Sequence, residues 1–252
     1  MIFCDVSKGR ELQGGLGNNL FKIATCLSLA DQNDVECKLS SWRYYIFENL
    51  DFRNDRIPIK NHHQEPFFHY TEIEYKENID ITGYFQSEKY FINNEELIRH
   101  SFIPKKEISD YLENKYGRML NSGTTCSIHV RRGDYLFNPN YAVLDMSYYN
   151  EALDLMRKKG INKFIVFSDD INWCKINFNG DEFFFVEGEN DFNDLFLMSM
   201  CDHHIIANSS FSWWGAWLNA NKEKKVIAPK NWFTSRYELD TKDLYFEKSI
   251  VI

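Results

Sequence analysis

The sequence predicts an α/β protein built on parallel sheets, and two observations carry that reading. Apolar runs of four to six residues, TCSIHV (125–130), KFIVF (163–167), FFFV (183–186), HIIA (204–207) and KVIA (225–228), alternate with stretches of helical length. Strands covered by helices on both faces need such runs, apolar at nearly every position rather than every second one. Polar clusters also stand directly after several runs, where a parallel sheet of this kind meets its ligand.

Taken in order, MIFCDV predicts a strand, GGLG a turn, and NNLFKIATCLSLADQ a helix with Leu20, Ile23, Ala24 and Leu27 at helical spacing. NHHQEPFFHY (61–70) reads as irregular, IDITGYF (79–85) as a strand, and 88–101 and 105–120 as helices. LNSGT (120–124) is the best linker, which divides the chain into residues 1–122 and 123–252. In the second part, 147–159 reads as a helix opened by Ser147 and stopped by Gly160, and DDINWCKIN as a short helix. Helices at 191–202 and 211–220 follow, so this half reads as Rossmann-like.

With 252 residues the chain can hold one large core or two smaller ones. Hydrophobic residues make up 44% and charged residues 26%, as in an ordinary globular protein. The net charge of -8 argues against general nucleic-acid binding, which wants a basic face. Cys4, Cys26, Cys37, Cys126, Cys174 and Cys201 include no Cys-x-x-Cys pair, and most sit in apolar runs. They read as reduced core thiols, and the expected compartment is the cytoplasm. MIFCDVSKGR lacks the features of a signal peptide, and no run of 18 apolar residues predicts a membrane span.

Four constellations raise the reading above a generic α/β protein. GGLGNNLF (14–21) puts glycines between a strand and a helix, so that backbone N–H groups can approach an anion. It matches neither Walker A nor the dinucleotide fingerprint, and a plain tight turn remains open. HVRRGDY (129–135) sets Arg131 and Arg132 just past a buried strand. Paired guanidinium forks can grip a diphosphate from two sides, or they can salt-bridge Asp134. His129 ahead of them is either a satisfied core residue or a ligand contact. In FSDD (167–170), Asp169 and Asp170 face a ligand or cap the next helix. In NSSFSWWGAWL (208–218), Ser209, Ser210 and Ser212 offer hydroxyls at a helix start, and Trp213, Trp214 and Trp217 are expected to pack.

The histidines suggest less. His62, His63 and His69 lack a carboxylate or cysteine pattern that would make a metal site, and His203 and His204 read as the end of a helix, where the dipole favours them. Without an Asp-x-Asp motif, a metal-dependent nucleotide-sugar site is not indicated.

These four motifs in this order resemble the α-1,2-fucosyltransferases of glycosyltransferase family 11, over about Gly14 to Trp232. The resemblance implies a GT-B-type architecture: two Rossmann-like halves with parallel sheets facing a central cleft, the first on the acceptor side and the second binding a GDP-sugar. It implies GDP-fucose as donor, inversion at the sugar carbon, no required metal or other cofactor, and a galactose-terminated glycan as acceptor. Under it Arg131 and Arg132 grip the donor diphosphate, and His129 lies near the nucleotide. Asp169 and Asp170 organise the donor side, and Ser209, Ser210 and Ser212 approach the phosphates. Gly15, Gly17 and Asn18 belong to a loop that closes over the donor. Asn19 stands where the family usually has Gln, and the chain is short for the family. Asp134 is the nearest candidate for a general base, although a salt bridge to the arginines would weaken it in that role. Three alternatives stay open: a non-catalytic GDP-sugar or lectin-like module, acceptor-independent hydrolysis, and another GDP-6-deoxyhexose as donor. Any contact with a membrane is expected to be transient.

Overall fold

The first strand, β1 (Ile2–Cys4), is followed by helix α1 (Leu16–Gln32), and in this computed structural model β1 is an inner strand of a four-stranded parallel sheet. The structure describes residues 1–6, 15–53, 58–237 and 239–252, and the counts of strands below refer to these. The other strands of the first sheet are β2 (Cys37–Leu39), β3 (Asn61–Gln64) and β4 (Ile79–Thr82), in the order β2–β1–β4–β3. Burial of Leu20, Ile23, Ala24 and Ile2 together explains why α1 lies against the sheet.

β3 corrects the expectation of an irregular segment at 61–70. Asn61–Gln64 pairs in parallel register with Ile79–Thr82 at the sheet edge. Its side chains alternate between half-buried and exposed, and both faces are polar, so the period-two signal of a strand is absent. The helix expected over 88–101 is two 3-10 turns, Glu88–Tyr90 and Ile92–Asn94, followed by α2 (Glu95–Ser101).

The chain divides into Met1–Lys106 with Asp240–Tyr245, and Glu107–Leu239 with Phe246–Ile252. Helix α3 (Lys106–Leu120) therefore falls, apart from Lys106, with the second unit. That unit continues with β5 (Cys126–Val130), α4 (Met146–Arg157), β6 (Phe164–Ser168), α5 (Ile171–Asn177), β7 (Phe183–Phe185) and α6 (Asp191–Ser199). Then come β8 (His203–Ile205), α7 (Ser210–Leu218), β9 (Val226–Ala228) and β10 (Ile250–Val251). All six strands are parallel, in the order β10–β9–β8–β5–β6–β7. From β5 the chain builds outward to β7, then returns to build β8 to β10 on the other side. The order reverses between β5 and β8, and a doubly wound sheet opens its ligand crevice at such a switch point.

α4 is capped by Asp145, whose side chain accepts from the Ser147 N–H, so Ser147 lies inside the helix and does not open it. His203 and His204 do not end a helix: α6 has already stopped, and both belong to β8, as the strand expected at 204–207 had it for His204. Trp213, Trp214 and Trp217 are 1%, 0% and 2% exposed, which makes all three core residues. Gly215 lets α7 approach α6, because a Cβ there would lie 2.9 Å from Met198 Cβ.

Candidate active site

β5 is buried along its whole length and ends at Val130, which delivers Arg131 and Arg132 to the carboxyl edge of the sheet beside the switch point. A 3-10 turn, Gly133–Phe137, follows. Arg131 is held on two sides, by Asp134 (Nη2 to Oδ1, 2.5 Å) and by Asp169 (Nη1 to Oδ2, 2.9 Å). Asp169 also accepts the Arg132 backbone N–H through Oδ1 at 2.9 Å, so one carboxylate ties both arginines to the end of β6. Gly133 permits this approach: a Cβ there would lie 2.5 Å from Asp169 Oδ2.

Arg132 is held differently. Its Nε donates to Asp170 Oδ2 at 3.1 Å, and its guanidinium lies 4.3 Å from the centre of the Trp173 ring. Asp170 uses its other oxygen to cap α5, accepting the Trp173 N–H at 3.1 Å. Asp170 therefore caps the helix, as one of its two readings had it, and also positions an arginine. The terminal nitrogens of Arg132 make no hydrogen bond to any described residue. A flat guanidinium with its outer edge open is suited to a phosphate oxygen pair.

His129 precedes the arginines and is 5% exposed. Burial, aided by the charge of Arg131, pushes its pKa down to about 3, so the ring is neutral. Its Nδ1 is buried without a hydrogen-bond partner, and the ring lies 5.4 Å from that of Phe211. Across the switch point, Ser209 caps α7 by accepting the Phe211 N–H, and Ser212 donates to the Ser209 carbonyl at 3.3 Å. Ser210 opens the helix. Two of the three expected hydroxyls are thus turned onto the backbone.

Asn208 opens the NSSFSWWGAWL motif. Its buried amide donates to the carbonyls of Ala142 and Trp232, at 2.8 and 2.7 Å, and its own carbonyl accepts from Tyr135 Oη at 2.9 Å. It thereby joins the loop after the arginine turn to the loop after β9. Sequence reasoning also passed over Trp173. Its position three residues past Asp170 was a usable signal, since that is where an N-cap aspartate finds its N–H partner.

In the first unit, Gly15 stands at the N-cap of α1 with open space around it, and Gly17 is buried within the helix. Gly14, the first glycine of the motif, lies outside the described residues. Asn18 Oδ1 accepts from Gln86 Nε2 at 2.7 Å, which brings together the segments after β1 and β4. Gln86 is positioned by Glu65, whose carboxylate accepts the N–H groups of Tyr84 (2.6 Å) and Phe85 (3.0 Å). Phe85 is left-handed at φ 51°, an uncommon state for a bulky residue. Neither Glu65 nor Gln86 had a local signal, because both act across long sequence separations.

Among the described residues there is no group of three or more His, Cys, Asp or Glu side chains placed to hold a metal ion, and no helix long and apolar enough to cross a membrane.

The family model described as glycosyl transferase family 11 matches residues 46–250. An alpha-1,2-colitosyltransferase of Escherichia coli is 31% identical, over 96% of this chain and 97% of its own. A galactoside alpha-(1,2)-fucosyltransferase 2 from Hylobates lar is 28% identical over 81% of this chain and 67% of its own. Among solved structures, NodZ alpha-1,6-fucosyltransferase soaked with GDP-fucose superposes with a TM-score of 0.56 at 15% identity, covering 86% of this chain and 91% of that one. POFUT1 in its apo form gives a TM-score of 0.54 at 11% identity, covering 90% and 96%. Those structures support the GT-B-like fold.

Proposed function

Since the chain belongs to glycosyltransferase family 11, we propose that it transfers L-fucose from GDP-fucose to a glycan hydroxyl, O2 of a terminal galactose, with inversion and without a metal ion. The observation that carries the reading is the open outer edge of Arg132 beside the switch point, with Arg131 locked next to it. Breaking a sugar–diphosphate bond leaves charge on the departing diphosphate, and fixed guanidinium groups stabilise that charge. The second unit holds the donor in this reading, with His129, Asp169, Asp170, Ser209, Ser210 and Ser212 lining or supporting the grip. Gly15, Gly17 and Asn18 come from the first unit, on the acceptor side. Asp134 serves Arg131 as a counter-charge, and its role as general base is secondary. The unpaired cysteines fit a cytoplasmic enzyme.

A second reading exchanges the sugar for colitose. It is favoured by the colitosyltransferase that matches almost the full length of both chains. Isothermal titration with GDP, GDP-fucose and GDP-colitose, with EDTA present, tests the grip on wild type and Arg132→Ala. Micromolar binding that survives EDTA and is lost in the variant is expected, and absence of binding by every GDP nucleotide overturns the proposal. Transfer to lactose from each donor then separates the two sugars.

A further inference from the structure

The arginine turn runs into a row of aromatic rings to which nothing so far gives a role. Tyr135 stacks on Tyr141 with centroids 4.3 Å apart and planes 13° from parallel. Tyr141 lies 5.6 Å from Phe233, and Phe233 lies 5.4 Å from Tyr237 at its edge. The row starts beside the Arg131 guanidinium, 5.4 Å from the Tyr135 ring, and ends in solvent at Tyr237, which is 41% exposed.

Two loops carry these rings, and their backbones are fastened together. Tyr141 and Phe233 form an antiparallel bridge. Thr234 donates its N–H to Asn140 O at 2.9 Å and its hydroxyl to Pro139 O at 2.7 Å. Beneath them the Asn208 amide holds both loops. The row is therefore preorganised, which lowers the ordering cost of binding.

We propose that this aromatic row is a saccharide subsite, receiving a pyranose of the acceptor glycan beside the arginine grip. The proposal rests on the glycan-transfer reading above, and it moves part of acceptor recognition onto the second unit. The occupant follows from the chemistry. A pyranose has a C–H face that packs on an aromatic plane, while its hydroxyl rim stays hydrated. Tyrosine suits such a ligand because it combines an apolar body with a polar tip. The row also leads directly from the group that would hold the donor diphosphate, where an acceptor must arrive.

Saturation-transfer NMR, with GDP present, measures binding of lactose and N-acetyllactosamine to wild type, Tyr237→Ala and Tyr237→Phe. Loss of one stacking partner predicts roughly five- to tenfold weaker saccharide binding in Tyr237→Ala. Tyr237→Phe should bind nearly as wild type, and the GDP affinity of both variants should stay within twofold. Unchanged saccharide affinity in Tyr237→Ala overturns the assignment, as does a wild-type protein that binds GDP but neither disaccharide. Joint loss of GDP and saccharide binding in Tyr237→Ala also overturns it, because the ring would then be serving the fold. Failure of wild type to bind GDP is a different result, and it removes the transfer reading itself.

Discussion

Adding one methyl group at Gly133 tests how the arginine turn is held. The new Cβ would stand 2.5 Å from Asp169 Oδ2 and 3.2 Å from its Cγ, well inside contact distance. Asp169 must move, and it carries two bonds: one to Arg131 Nη1 and one to the Arg132 N–H, both 2.9 Å. Hydrogen bonds to charged groups contribute about 1.5–3 kcal/mol each. Asp169 is a quarter exposed and Arg131 about a third, so water recovers much of that. A loss of about 1–3 kcal/mol is expected for Gly133→Ala, which in a chain of this size lowers Tm by roughly 2–10 °C. GDP binding should weaken in parallel, since both arginines lose their common anchor. The decisive comparison is the double variant, by thermal melts and titration with GDP. In an Asp169→Ala background there is no carboxylate to displace, so Gly133→Ala should cost under about 0.5 kcal/mol. If the two substitutions instead add in full, the close approach of Asp169 is not the reason for glycine at 133.

Two further outcomes concern neighbouring groups. Trp173→Leu removes the ring beneath Arg132 while leaving the Asp170 cap, and GDP affinity should fall by about 3- to 30-fold, as a cation–π contact of 0.5–2 kcal/mol implies; calorimetry at constant salt checks this. Asp194 sits in α6, where burial and the charges of Glu189 and Asp191 push its pKa up from its ordinary 3.8 to about 7. The folded state keeps this proton after the unfolded chain has lost it, so stability is fully present below about pH 4 and declines as the pH rises to 7. Asp194→Asn should remove that decline, gaining roughly 1–3 kcal/mol over wild type at pH 8 and little at pH 4 in urea melts.

What could be read from the chain depended on distance along it. Strand β6 is apolar at every buried position and β5 at three of its five, and their boundaries were legible to within a residue. β3 was not, because an edge strand of Asn, His and Gln carries no apolar periodicity. β2 and β10, at three and two residues, are too short to show a period. In the candidate site, the residues next to strand ends were visible as motifs. Their partners were less so: Asp169 meets Arg132 across 37 residues, and Gln86 meets Asn18 across 68. Such pairings are made by the crossovers of the sheet and leave no trace in local spacing. The same limit hid the aromatic row, whose members come from loops more than ninety residues apart.

The carboxylates around the arginine turn bear on how a nucleotide would leave. Two guanidinium groups are accompanied there by Asp134, Asp169 and Asp170, so the turn is no pool of positive charge. Under the proposed function, a diphosphate arriving there would meet the unbonded terminal nitrogens of Arg132 and share Arg131, whose guanidinium already has two carboxylate partners. On its departure the carboxylates would remain beside both guanidinium groups, so neither would be left as an isolated charge. Built-in anions of this kind would favour product release in the proposed reaction. They would also leave the turn with little net attraction for other polyanions.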